Sequence, residues 1–315
     1  MSALSNKVNR LAHVNATSKI HRTKSDKTFT AVNYVFWVAI LVIVLYPMYF
    51  IVISSFSDPL AVMRGEVNFW PVDASLIGYT SMFAFSHFWR SYFNSVVYTV
   101  SGTMLSVIIT LMGGYALSNQ FAGKKIVTFL IIFQMFFSGG LIPTFLLMNT
   151  IGLNQNPLII VLMGAVSVWN LMITRTFMQT NIPRELFEAS QLDGASHISF
   201  FVKVVLPLSG TIAAVLCVFF AVSNWNNWFT ALVYVRDRNW HPVALVLRNI
   251  LTRLTLDATT AMEMHPHAED VSEAMRVAEV IKYCAIVLST APIVALYLSM
   301  QNFFLKGVMV GSLKG

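Results

Sequence analysis

The segment Asn181-Ile-Pro-Arg-Glu-Leu-Phe-Glu-Ala-Ser-Gln-Leu-Asp-Gly-Ala-Ser-His-Ile-Ser-Phe-Phe-Val-Lys-Val-Val-Leu-Pro207 separates two long apolar runs. Asn181 is placed to cap a helix N-terminus, with Pro183 in the first turn. Leu186, Ala189, Ser190 and Asp193 then fall on one helical face, and Phe187 and Leu192 add apolar surface beside it. Gly194 suits the left-handed turn that stops such a helix. A second apolar stretch, Ile198 to Leu206, ends at Pro207, where the next long run begins. The pattern predicts a short helix outside the membrane, about 10 residues or roughly 15 Å long. Its size and partly apolar surface suit docking in a groove of another protein.

The rest of the chain supplies the membrane. It has 315 residues, 56% hydrophobic and 11% charged, with mean hydropathy +0.66. Soluble domains carry about 25% charged residues, because an apolar core must be wrapped in polar groups. The composition therefore predicts an integral membrane protein and sets aside soluble enzymes. With about 20 apolar residues needed to cross a bilayer, six spans are expected: Phe29–Ser55, Tyr92–Leu117, Ile126–Met148, Pro157–Phe177, Leu208–Val235 and Val280–Phe304. The runs are continuous rather than alternating, which predicts an all-α membrane protein, not a β-barrel. Residues 1–28 and 305–315 are read as tails, 29–304 as the membrane domain, 181–207 as its inner loop and 236–279 as its large outer loop.

Sidedness follows from charge. With the N-terminus inside, the inner segments hold 13 Lys and Arg against 4 acids, and the outer loops 7 against 10. This asymmetry orients both termini to the cytoplasm. The net charge of +7 is thereby read as topology rather than as a nucleic-acid footprint. It also places the 181–207 loop inside.

The pattern Glu188-Ala189-Ser190, then Gly194, then Val204-x-Leu206-Pro207 resembles the EAA loop of binding-protein-dependent ABC importer permeases, with Ser190 where Ala is usual and Val204 where Ile is usual. Further stretches resemble the carbohydrate branch: Ser54–Pro59, Phe137–Phe145, Val168–Phe177 and Val246–Leu251. They are most similar to permeases of complex oligosaccharide and aldouronate importers. The tail Lys306-Gly307…Gly311-Ser-Leu-Lys-Gly315 is similar to that of the second permease subunit in maltose-type importers. The resemblance implies the type I importer permease fold of six helices, with the short helix as a coupling helix. Glu188, Ala189, Ser190, Asp193, Gly194, Leu206 and Pro207 would be its contact and turn residues. It further implies a second, different permease, a pair of ATPase subunits docked on the 181–207 loop, an extracytoplasmic solute-binding protein and a bacterial cytoplasmic membrane. ATP and Mg would be bound by the ATPase. This chain has no Gly-x4-Gly-Lys-Ser/Thr, and Gly123-Lys124-Lys125 lacks both the first glycine and the hydroxyl residue. No cofactor is expected in the chain itself.

Ser223-Asn224-Trp225-Asn226-Asn227-Trp228 lies in the outer half of the fifth expected span. Amides bond sugar hydroxyls and indoles stack on sugar faces, so Asn224, Trp225, Asn227 and Trp228 are candidates to line a carbohydrate path. Trp169 and Asn170 are weaker ones. The competing reading is an aromatic belt with inter-helix amide bonds. By the resemblance, the other permease holds the sugar and this one lines the path. Gly102, Gly113 and Gly114 in span two allow either tight helix contact or a flexing gate. Gly139-Gly140 and Pro143 break span three. Cys217 and Cys284 sit in apolar runs and offer no disulfide framework for the loops. His265-Pro-His267 beside Glu263, Glu269 and Asp270 reads as a solvated acidic loop rather than a metal site. A membrane-embedded enzyme would need ionisable groups within the spans, which hold almost none beyond Arg175 and Lys282 near their ends. A permease of the same architecture for a non-sugar solute is the alternative, and the motif does not separate the two.

Overall fold

The computed structural model describes residues 24–252 and 271–312, and among them the chain is helical with no strand. The first described helix, α1 (Lys24–Ser55), begins inside the stretch read as a tail. Next come α2 (Pro59–Met63), α3 (Ile77–Ala84) and α4 (Ser86–Ser118). They are followed by α5 (Lys124–Phe136), α6 (Leu141–Thr150), α7 (Leu158–Leu162), α8 (Val168–Asn181) and α9 (Arg184–Leu192). A short helix α10 (His197–Phe200), a π-turn (Phe201–Val205) and α11 (Leu206–Leu208) lead into α12 (Gly210–Trp225) and α13 (Trp228–Tyr234). The described chain closes with a 3-10 turn (Arg238–Trp240), α14 (Val243–Thr252) and α15 (Val271–Ser312). His265, His267 and their acidic neighbours lie outside the described residues.

Among the described residues, three helices are long and apolar enough to cross a membrane: Lys24–Ser55, His87–Ser118 and Arg276–Gln301. Two bent pairs bring the number to five if each is one span: Lys124–Phe136 with Leu141–Thr150, bent by 116°, and His197–Leu208 with Gly210–Trp225, bent by 79°. The third expected span is thus interrupted at Phe137–Gly140. Gly140 takes φ +82, and Pro143 falls in the first turn of α6, where its missing N–H has no intrahelical role. The fourth expected span is not one helix but two, α7 and α8, parted at Met163–Ser167. There the Ser167 hydroxyl accepts from the Asn170 N–H and starts α8. The fifth is parted at Asn226–Asn227, where Asn227 accepts from the Thr230 N–H and starts α13.

The chain forms two compact units that divide at residue 50. In residues 24–50, α1 exposes Phe36, Trp37, Leu41 and Ile43, side chains suited to lipid or to another subunit. The second unit, 51–315, begins with the last turn of α1, where Ile53, Ser54 and Ser55 are buried. Its centre is α4, against which α8 and α12 pack, and α15 packs on α12, α14, α3 and α2. Lipid is as apolar as leucine, so close approach rather than water exclusion holds such helices together. The glycines of α4 provide that approach: a Cβ on Gly113 would lie 2.9 Å from Leu171 Cδ1, and one on Gly114 would lie 2.6 Å from Thr174 Cγ2. Lys282, one of the few charges in the last apolar run, is neutralised by Glu279 at 2.8 Å.

Candidate functional site

The segment between α8 and α12 is built from its breaks. Asn181 is not the cap expected from the sequence: it closes α8, and its amide donates to the Phe177 carbonyl at 3.0 Å and the Thr180 hydroxyl at 2.9 Å. The reason is Pro183, whose ring pushes the preceding Ile182 out of the helical region. Pro183 itself is the extended N-cap of α9, at φ −60 and ψ 139. Helix α9 ends where Gly194 takes φ +75, with the Ala195 N–H reaching the Ser190 carbonyl at 2.9 Å.

One side of α9 is anchored. Phe187 packs into the cluster of Val107, Leu111, Met178, Phe200, Val205 and Leu216, edge-on to Phe200 at 5.3 Å. The Ser190 hydroxyl donates to the Phe187 carbonyl at 2.8 Å. The opposite side faces out: Leu186, Glu188, Ala189 and Asp193 are exposed, and Leu192 is 90% exposed. The face expected to hold Leu186, Ala189, Ser190 and Asp193 together is therefore split, with Ser190 turned toward the protein. Arg184 and Glu188 approach to 3.9 Å on the surface, an i,i+4 pair in the weaker order with the cation first.

Behind α9 is a cavity of about 410 Å³ lined by Tyr115, Ser118, Gln179, Pro183, Phe187 and His197. His197 Nδ1 lies 3.3 Å from the Tyr115 hydroxyl, and its ring stacks obliquely on Phe187 at 4.8 Å. Beyond α10, the π-turn and α11 absorb Pro207, which cannot donate to the helix ladder. Leu206 and Pro207 are exposed, whereas Val205 is fully buried and fixes the turn to the core. The bend is completed at Ser209, whose N–H donates to the Val205 carbonyl at 2.9 Å.

The residues proposed for a substrate path lie in separate settings. Asn224 is buried against Gly102 and Gly164, with Nδ2 3.5 Å from the Thr103 hydroxyl. Trp225 is buried, donates through Nε1 to the Ser289 carbonyl at 2.8 Å and meets Tyr92 edge-on at 5.5 Å. Asn227 is the cap of α13. Trp228 is half-buried under the Arg248 guanidinium, 4.8 Å from the ring centre. Asn170 is buried, and its carbonyl accepts from the Thr174 hydroxyl at 2.8 Å. Trp169 is exposed. The Gly164 contact and the Arg248–Trp228 pair escaped the sequence reading, because each joins segments far apart in the chain.

No family model matches the chain. It is 33% identical over 297 residues to Protein LplC of Bacillus subtilis (strain 168), covering 94% of this chain and 98% of that protein. It is 32% identical over 291 residues to the polygalacturonan/rhamnogalacturonan transport system permease protein YtcP of the same organism, covering 92% and 99%. It is similar in structure to a chain of a bacterial ABC transporter involved in the import of the acidic polysaccharide alginate, with a TM-score of 0.82 and 30% identity over 90% of this chain and 98% of that one. Helical fold and sequence agree over nearly the whole length, and the chain belongs to the membrane permeases of carbohydrate ABC importers.

Proposed function

We propose that the chain is the second permease subunit of a maltose-type importer and that α9 is its coupling helix. It pairs with a different permease, receives an oligosaccharide from an extracytoplasmic binding protein, and is driven by separate ATPase chains that bind ATP and Mg. Both termini and α9 face the cytoplasm of a bacterial cell, in keeping with the positive charge of the inner segments. The names of the similar proteins support a complex oligosaccharide, including one with acidic sugar units, as cargo.

The observation that carries this reading is the unmatched outer side of α9. Leu192, 90% exposed, and Ile198, 78% exposed, flank the left-handed Gly194 turn. Apolar groups beyond the lipid-level helices gain by entering a partner's groove. Phe187 ties the same helix to the cluster that holds Val205, Ile212 and Leu216, so a push on α9 is delivered to α12 and the turn that leads into it. In membrane vesicles holding the assembled importer, Glu188→Gln and Gly194→Val should leave the complex in the membrane and ATP hydrolysis running while uptake falls. Unchanged uptake in both variants refutes the coupling role.

A further inference from the structure

We propose that Lys124 and Arg175 hold the phosphate of an anionic phospholipid. Lys124 opens α5, and its ammonium donates to the Ser118 carbonyl at 3.3 Å. Gln179, one turn beyond Arg175 on α8, reaches the same carbonyl at 3.5 Å. Lys124 and the α8 side chain one turn from Arg175 thus converge on one carbonyl, which draws Lys124 toward the side of α8 that carries Arg175. Among the described residues neither cation has a carboxylate partner. Arg175 Nη1 has the Met172 sulfur at 4.0 Å, and its Nε is buried with no hydrogen-bond acceptor. Like charges gathered beside a buried, unmatched N–H form an arrangement that an anion completes.

The surface that continues from Lys124 selects a lipid as the source of that anion. No residue of α5 is buried, and Ile126, Phe129, Leu130 and Phe133 are exposed in succession. A headgroup on the cation pair lays its acyl chains along this apolar side, which water would not cover favourably. The exposed Lys125 adds long-range attraction without belonging to the pair.

The test is native mass spectrometry of the full chain, purified with the subunits that accompany it, stripped of lipid and titrated with dioleoylphosphatidylglycerol. Dioleoylphosphatidylcholine serves as the neutral comparison and inorganic phosphate as the free-anion competitor. Phosphatidylglycerol should be retained over phosphatidylcholine. Lys124→Gln combined with Arg175→Gln should weaken that retention by about tenfold or more, and Lys125→Gln by less than about twofold. Equal retention of both lipids, or retention unchanged in the double variant, overturns the site. Full displacement by millimolar inorganic phosphate overturns the lipid as its ligand. If the double variant fails to assemble, Lys124→Gln alone decides by the same comparison of the two lipids.

Discussion

Gly102 of α4 lies directly against Asn224 of α12: a Cβ on the glycine would stand 2.9 Å from Asn224 Nδ2. Further along α4, a Cβ on Gly114 would stand 2.6 Å from Thr174 Cγ2 and 3.3 Å from the Arg175 backbone nitrogen. The two contacts differ in what can yield. The Asn224 amide is the far end of a side chain and can swing away, whereas Thr174 is β-branched and the Arg175 nitrogen is backbone. Gly114→Ala should therefore destabilise more than Gly102→Ala, within the range of about 1–3 kcal/mol typical of overpacking. Thermal unfolding of the purified variants in detergent measures both, and equal shifts would show that helix α8 moves freely away from α4.

Trp225 offers a second stability test. Its indole N–H is buried on the Ser289 carbonyl at 2.8 Å, and its ring joins the cluster of Met82, Phe88, Val243 and Ile281. Trp225→Phe keeps an aromatic ring but removes the donor and part of the volume. A loss of about 1–3 kcal/mol is expected from the orphaned carbonyl and the smaller ring. If the variant unfolds at the wild-type temperature yet impairs uptake, Trp225 serves the substrate path and not the seam.

The residues that announced themselves in the sequence were those whose backbone chemistry is local. Gly140 at φ +82 and Gly194 at φ +75 are both where a glycine was read as a break or a stop. Parting of the fourth expected span at Met163–Ser167 is not legible in the sequence, because hydropathy stays high across Gly164, and the contact of Gly164 with Asn224 joins it to a distant helix. Asn181 departs from the expected cap for a local reason: a residue before proline avoids the helical region, so Ile182 ends α8. The path residues were grouped by adjacency in sequence, but adjacent positions on a helix point in different directions. Asn224 and Trp225 therefore enter different seams.

Ser209 and Pro207 separate strain from function. The Ser209 hydroxyl is buried with no hydrogen-bond partner among the described residues. Ser209→Ala removes a desolvated group at almost constant volume and should leave stability unchanged or raise it by up to about 1 kcal/mol. Pro207→Ala restores an N–H to the bend between α11 and α12, which relaxes the reason for the π-turn at Phe201–Val205. That variant should be at least as stable as the wild type but poorer in uptake per ATP hydrolysed. A marked fall in melting temperature for Ser209→Ala would mean that its hydroxyl has an acceptor.

Gly194 permits a graded test of α9, because a Cβ there meets nothing within 4 Å while φ is +75. Any effect of a small side chain thus arises from backbone conformation and not from a clash within the chain. Left-handed geometry costs an L-residue roughly 1–2 kcal/mol, less for asparagine and more for a β-branched residue. Uptake per ATP hydrolysed should accordingly fall in the order glycine, asparagine, alanine, valine if the turn must keep its shape for α9 to present Leu186, Glu188 and Leu192. Reconstituted vesicles assayed for both sugar uptake and phosphate release supply the ratio. If asparagine is as damaging as valine, side-chain bulk against the partner controls coupling at this position. If all three variants match the wild type, the conformation at residue 194 does not transmit the stroke, and Phe187, edge-on to Phe200 in the cluster that also holds Leu216, is left as the rigid link between α9 and the membrane helices.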